Sequence, residues 1–276
     1  PAYARAEFPE WQMIMDYQHI KVERDGFVAT VQFNRPARAN ALNPRHIEEI
    51  EHAALSFRED YDTRVVVFKG AGKHFCSGAD LGEREPRYTS QIKARRRKRI
   101  GERCIQAIRD MDQITIAAWH GAAMGGGAAI ATALDFRIGT RTCFMSYPEI
   151  KIGVNLMWQS LPLCVHLAGP AVAKRLVISG ERAYGPQLQE WGLLDELVED
   201  EQALASRVAD WAALYASQAP GAAQMIKRSV NAISSALDRS IMHMDFDQNL
   251  LNEASADARE AVSAYRDQRT PAFTGE

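Results

Sequence analysis

The chain has few cysteines for its 276 residues: Cys76, Cys104, Cys143 and Cys164. None stands in a C-x-x-C pair or beside a histidine pattern of the zinc-binding kind, so neither a disulfide framework nor a structural metal is expected. Reduced thiols of this sort suit a cytoplasmic protein. No apolar run approaches the ~20 residues a membrane span needs, and the N-terminus lacks the charged-then-apolar order of a secretory signal. Charge of one sign is not in excess. The 33 Lys and Arg against 35 Asp and Glu leave a formal net charge of −2, and nothing global points to nucleic acid or an anionic membrane. Gly70-Ala71-Gly72-Lys73 fails the spacing of a phosphate loop, because His74 follows the lysine. No G-x-G-x-x-G stands between a strand and a helix with an acidic residue about 20 further on, so a nicotinamide cofactor is not implied. Internal repeats, low-complexity tracts and flexible linkers are missing as well.

What is present reads as a globular chain, 46% hydrophobic and 25% charged. A core of this size removes roughly three quarters of the unfolded surface from water, enough to fold without staples. Alternating residues over Ile20–Val22 and Phe27–Phe33 flank Asp25-Gly26 and predict a hairpin. Asn43-Pro44 predicts a helix start, with Asn43 as N-cap. Val65–Phe68 and Ile114–Trp119 are apolar and strand-like, with short strands expected at Phe136–Ile138 and Cys143–Met145. Thr89–Met111 reads as one long basic helix. Beyond Trp158 the pattern turns helical: Ala171–Ile178, Gly185–Trp191, Gln202–Gln218, Ala219–Ala236 and Asp238–Tyr265.

The most informative stretch is His120-Gly121-Ala122-Ala123-Met124-Gly125-Gly126-Gly127, between a strand pattern and the small-residue helix pattern Ala128–Leu134. Glycines at a helix start leave backbone N–H groups unshielded at the positive end of the dipole. Such a place stabilises a phosphate or an oxygen that becomes negative during a reaction. A tight turn needing only positive φ is the other reading.

Two further segments bear on that choice: His74-Phe75-Cys76-Ser77-Gly78-Ala79-Asp80-Leu81 and Ser146-Tyr147-Pro148-Glu149-Ile150-Lys151-Ile152-Gly153. With Asn34–Leu42, Ala183-Tyr184 and Trp191–Asp195 they follow the order of the crotonase superfamily, the enoyl-CoA hydratase/isomerase family, which the chain resembles from about His19 to its C-terminus. The resemblance implies an α/β fold: a crotonase-like spiral of β-β-α units over residues 18–200, preceded by an arm (1–17). A helical C-terminal trimerisation region (201–276) follows the spiral. It implies an acyl-CoA thioester as substrate, CoA as part of that substrate with no separate cofactor, and a homotrimer or hexamer.

By the same resemblance, the backbone N–H groups of Ser77 and Gly126 form an oxyanion hole and Glu149 is the acid/base. The place of a typical hydratase's second glutamate falls on Ala129, which cannot carry a proton. That weakens two-carboxylate hydration and leaves a single-glutamate shuttle open, in an isomerase, a hydratase or a hydratase-lyase. Asn155, Tyr147, Trp158 and Gln159 are candidate helpers. At Asn155 an amide cannot serve as the carboxylate nucleophile of the related 4-chlorobenzoyl-CoA dehalogenases; it could orient water or an acyl group, or be an ordinary loop residue. Arg38 is the phosphate candidate, Ala39 and Ala41 the adenine contacts, and Ala79 and Leu81 flank the pantetheine path. Tyr265, near Gln268 and Arg269, takes the place of a nucleotide contact from a neighbouring subunit. Trp158, with Met157 and Tyr88, could shape a bulky acyl pocket.

Cys76 lies beside this presumed site but reads first as a small packed residue. The run Lys93-Ala94-Arg95-Arg96-Arg97-Lys98-Arg99 offers a rival from another class, an RNA-binding homologue with weak or no catalysis. Its cations wind around the helix and no aromatics interleave to stack bases, so nucleic acid is not the expected partner. A crotonase-fold C–C hydrolase and a catalytically inert scaffold are further alternatives.

Overall fold

A computed structural model describes residues 15–83, 90–242 and 244–276. The expected hairpin forms from β1 (Ile20–Asp25) and β2 (Val28–Phe33), antiparallel from Ile20↔Phe33 to Asp25↔Val28, with Gly26 at φ 56 in the turn. Helix α1 (Pro44–Ser56) begins as the sequence predicts, Asn43 accepting the His46 N–H at 2.8 Å. The chain continues through β3 (Val65–Gly70), α2 (Gln91–Lys98), α3 (Ile100–Arg109), β4 (Ile114–Trp119), β5 (Ala122–Met124) and α4 (Gly126–Ala133). Then come β6 (Phe136–Thr140), β7 (Phe144–Ser146), α5 (Ser160–Ser179), β8 (Ala183–Tyr184), α6 (Gly185–Glu190) and β9 (Glu196–Val198). Five helices close the chain: α7 (Glu201–Ala216), α8 (Pro220–Ser234), α9 (Asp238–Met242), α10 (Asp245–Ala254) and α11 (Ala256–Arg266).

A six-stranded sheet runs β1-β2-β3-β4-β6-β9, parallel except at the hairpin, and a second sheet of three strands runs β5-β7-β8. Strand pairs followed by helices climb as a spiral, the architecture the resemblance implies. β3 is apolar without alternation because both its faces are covered. Val66 and Phe68 face the main core with α1, α3 and α4, while Val65 and Val67 meet Leu204, Val208 and Ala212 of α7. Helix α7, which the sequence groups with the C-terminal region, therefore covers the outer face of the large sheet.

Three local expectations need correction. The single helix over Thr89–Met111 is two helices, with Arg99 leaving helical geometry at ψ 3 between them; Thr89 itself lies outside the described residues. The long helix over Asp238–Tyr265 is three, α9 to α11. Strand β5 stands between β4 and the glycine-rich helix start, so the turn there is made twice. In addition, α5 is 20 residues long with mean hydropathy 1.4, long and apolar enough to cross a membrane, contrary to the sequence reading. It is broken at Gly169 (φ 76, ψ 165) before Pro170, and Leu163, Cys164, Ala173 and Leu176 are buried in the main core. Residues 1–14 of the expected arm lie outside the described residues; Tyr17 already belongs to the body, its hydroxyl 2.9 Å from His52 Nδ1.

Three of the six cations in the basic run pair with carboxylates. Arg97 pairs with Glu48, Lys98 with Glu253, and Arg99 with Glu102, while Arg95 lies 5.9 Å from the Phe246 ring centroid. Its cations thus tie α2 to α1 and α10, and Arg99 pairs within the first turn of α3.

Candidate active site

Three loops lie side by side at the carboxyl ends of the strands. Leu42 N–H donates to Gly78 O (2.7 Å) and Asp80 N–H to Leu42 O (3.0 Å) on one side. On the other, Cys76 N–H donates to Ala122 O (2.9 Å) and Met124 N–H to Cys76 O (3.0 Å). The approach is close enough that a Cβ on Gly78, whose φ is 88, would sit 2.6 Å from the Met124 carbonyl oxygen. Cys76 is fully buried between these loops and burial pushes its thiol up to about 12, which makes it a packed residue.

An account of the N–H groups corrects one expectation. Ser77 N–H is committed to the Ala39 carbonyl at 3.0 Å. Ala79 N–H and Gly126 N–H make no hydrogen bond with any described residue; Ala79 is exposed, and Gly126 opens α4 behind Gly125 (φ 49). The two free donors are therefore Ala79 and Gly126, not Ser77 and Gly126. The cause is Gly78: its left-handed turn keeps residue 79 from repeating the direction of residue 77. Nothing in the sequence reports a φ of that sign at one glycine, so the sequence does not show which of the two N–H groups is free.

Glu149 belongs to the turn of 3₁₀ helix Pro148–Ile152 that follows β7. Its Oε1 would lie 2.8 Å from a Cβ on Gly125, so the carboxyl leans on the residue that precedes the free Gly126 N–H. Oε2 is buried with no hydrogen-bond partner among the described residues, and burial raises the pKa to about 7. Ala129 is buried in the core, one turn into α4. Tyr147 is fully buried as well, its hydroxyl 3.5 Å from Thr132 Oγ1. Asn155 Nδ2 donates to the Asp245 carbonyl (2.9 Å) and reaches Gln248 Oε1 (3.5 Å), while its Oδ1 is buried without a partner. Its amide nitrogen thus serves as a strap to α10.

The 157–159 segment carries a second surprise. Trp158 (φ 64) and Gln159 (φ 56) are both left-handed, a conformation costing on the order of 1–3 kcal/mol for a non-glycine residue and persisting only where neighbours enforce it. Gln159 N–H donates to Asp245 Oδ2 (2.9 Å) and its Nε2 to Glu102 Oε1 (2.8 Å). No sequence signal announced this pair.

Among the nucleotide candidates, Arg38 is exposed and its side chain forms no hydrogen bond or salt bridge with the described residues. Its Nη1 lies 3.7 Å from where a Gly82 Cβ would be. The Ala41 carbonyl already meets Arg35 Nη1 and His46 Nδ1, whereas the Ala39 carbonyl accepts only the Ser77 N–H and keeps a lone pair. Arg35, which the sequence did not single out, holds the loop: Nη2 bonds Asp80 (2.9 Å) and Glu83 (3.0 Å). Leu81 is half exposed beside them. Tyr265 is in α11, its side chain outside the described residues; Arg269 pairs with Glu260. Tyr88 also lies outside the described residues. Among the described residues no three His, Cys, Asp or Glu side chains group closely enough to hold a metal ion.

This geometry now meets known proteins. The family model for enoyl-CoA hydratase/isomerase matches residues 23–276. The chain belongs to the enoyl-CoA hydratase/isomerase family, within the crotonase superfamily. It is 27% identical over 264 residues to a short-chain-enoyl-CoA hydratase of Clostridium acetobutylicum, covering 92% of this chain and 97% of the relative. It is 28% identical over 250 residues to 1,2-epoxyphenylacetyl-CoA isomerase of Escherichia coli, covering 90% and 95% respectively. A crystal structure of an enoyl-CoA hydratase from Mycobacterium avium subsp. paratuberculosis superposes with a TM-score of 0.82 at 25% identity, covering 93% of this chain and 99% of that one. The fold of the protein is thus the crotonase fold, shared with that structure over 93% of this chain.

Proposed function

We propose that the protein hydrates or isomerises the double bond of an unsaturated acyl-CoA, with Glu149 moving the proton and the N–H groups of Ala79 and Gly126 holding the thioester oxygen. The observation that carries this reading is the Glu149 carboxyl: buried, raised to about 7, and set against Gly125 beside a free helix-start N–H. A carboxyl near neutrality both takes and returns a proton at physiological pH. In isomerisation the carboxylate removes a proton from C4 of a 2-enoyl thioester, the electron pair moves onto the carbonyl oxygen, and Glu149 returns the proton to C2. In hydration it takes a proton from water as the oxygen attacks C3, then protonates C2. Either route needs one carboxyl, which agrees with Ala129 in the second position. CoA enters as part of the substrate, with Arg38 toward its phosphates and the Ala39 carbonyl toward adenine.

A screen of saturated, 2-enoyl, 3-enoyl and aromatic CoA thioesters by mass spectrometry tests the reading. Conversion of a 2- or 3-enoyl ester that is unchanged by chelators is expected. Absence of turnover and binding with every ester overturns it in favour of an inert scaffold, and a chelator-sensitive reaction overturns the site.

The assembly is proposed to be a homotrimer or hexamer. The observation behind it is α8, which leaves Met225, Ile226, Val230 and Ile233 exposed at 71%, 64%, 57% and 78%, continuing to Leu237 at 77%. A patch this apolar on a soluble chain calls for a protein partner. Sedimentation is expected to give three or six copies for the native chain and smaller species for Ile233→Asp; a native monomer at micromolar concentration refutes the assembly.

A further inference from the structure

We propose that Trp158 is the acyl-length stop of this site, making the substrate a short-chain acyl-CoA; the inference rests on the acyl-CoA reading above. The indole is wedged between two glycines. A Cβ on Gly126 would lie 2.5 Å from Trp158 Cζ3 and 2.6 Å from Cη2, with Leu42 Cδ1 at 3.0 Å. A Cβ on Gly101, on α3, would lie 1.9 Å from Cε2 and 2.1 Å from Nε1. The six-membered ring thus rests on the backbone of the residue whose N–H faces the thioester oxygen, and the pyrrole edge fills a notch that only glycine leaves open in α3. Space that an acyl chain would use beyond the oxyanion donors is occupied by aromatic carbon.

The wedge is held in place from behind. Trp158 and Gln159 keep left-handed backbones because Asp245 Oδ2 accepts the Gln159 N–H, and Glu102 Oε1 accepts its side-chain amide at 2.8 Å. Glu102 is itself fixed by two bonds from Arg99 at 2.7 and 2.9 Å, and Asn155 ties the start of the same loop to the Asp245 carbonyl. A side chain whose loop is anchored at Gln159, by its N–H and its amide, and at Asn155 does not swing aside for a long chain at low cost. Gly101 and Gly126, against which the indole is wedged, and the Leu42 methyl beside Gly126 present no charge, so the acyl group is uncharged at this end.

The test compares wild type, Trp158→Phe and Trp158→Ala on 2-butenoyl-, 2-octenoyl- and 2-hexadecenoyl-CoA, with calorimetric binding of butanoyl- and octanoyl-CoA alongside. Wild type is expected to favour the four-carbon ester by at least tenfold in kcat/KM and to bind butanoyl-CoA more tightly than octanoyl-CoA. Trp158→Phe shortens the wedge and is expected to raise the eight-carbon ester relative to the four-carbon one, and Trp158→Ala to invert the order. If Trp158→Ala does not fold, the graded response of the Phe variant and the wild-type binding order still decide. Binding of both saturated esters with equal affinity by wild type, or an unchanged length preference in a folded variant, overturns the stop and leaves the acyl-CoA reading standing. No binding of any thioester overturns both.

Discussion

Replacing Glu149 with Gln is expected to lower turnover of the best enoyl-CoA by about 100- to 10,000-fold, the usual contribution of a general acid/base, with thioester affinity retained. The amide keeps the volume beside Gly125 but carries no exchangeable carboxyl proton at neutral pH. Binding survives because the N–H donors assigned to the oxygen and the carbonyl acceptor assigned to adenine are backbone groups of other loops. The same change has a second, opposite signature in stability. Glu149 titrates near 7 in the folded chain against an ordinary 4.5, so the folded state holds its proton more tightly than the unfolded one. Stability from this group is full below about 4.5 and is lost as pH rises through about 7. By pH 8 the loss amounts to roughly 3 kcal/mol, and Glu149→Gln is spared it. Denaturant melts at pH 5 and pH 8 should therefore show a stability advantage of the Gln variant that grows with pH, while its activity is nearly absent at both. A Gln variant with near wild-type turnover would remove Glu149 from the mechanism; one without the pH-dependent gain would show that the carboxyl is not desolvated as described.

The sequence was most legible where one local rule decides the outcome. Asp25-Gly26 supplied a positive-φ turn and the hairpin formed; Asn43-Pro44 supplied an N-cap and a first helical residue and α1 began there. Glu149 and the glycine run could be placed together because their segments are short and follow strands of one spiral. What stayed hidden depends on packing across long sequence distances. The break at Arg99 separates a strongly charged α2 from an α3 that buries Ile100, Cys104, Ile105 and Ile108, and helix propensity alone does not see the difference. Arg35 is read as one basic residue among several until Asp80 and Glu83 close on it from some 45 residues away. Trp158 looked like any large apolar residue, and its position on Gly126 follows from a left-handed backbone that Asp245, 86 residues beyond Gln159, enforces.

The donor next to Gly126 offers the other large effect, because it separates two residues that the sequence does not distinguish. Exchanging the Ala79 amide for an ester, by incorporating the α-hydroxy analogue of alanine, deletes that N–H and turns the Gly78 carbonyl, which accepts the Leu42 N–H, into a weaker ester acceptor. No structural hydrogen bond is lost, since the bridge to Leu42 uses Gly78 O and Asp80 N–H. If that N–H holds the oxygen as it gains charge, kcat falls about 100- to 1,000-fold with little change in melting temperature. The corresponding ester at Ser77 removes the bond to the Ala39 carbonyl, so it should cost about 1 kcal/mol of stability and leave kcat within a few-fold of wild type. The opposite pattern, a collapse of kcat with the Ser77 ester and none with Ala79, would return the oxyanion donor to Ser77. It would also require the Ala39 loop to move away when substrate binds. Because the Ala39 carbonyl is also the adenine candidate, the two esters report on separate halves of the substrate: Ser77 through the loop that meets the nucleotide, Ala79 through the oxygen that carries the charge.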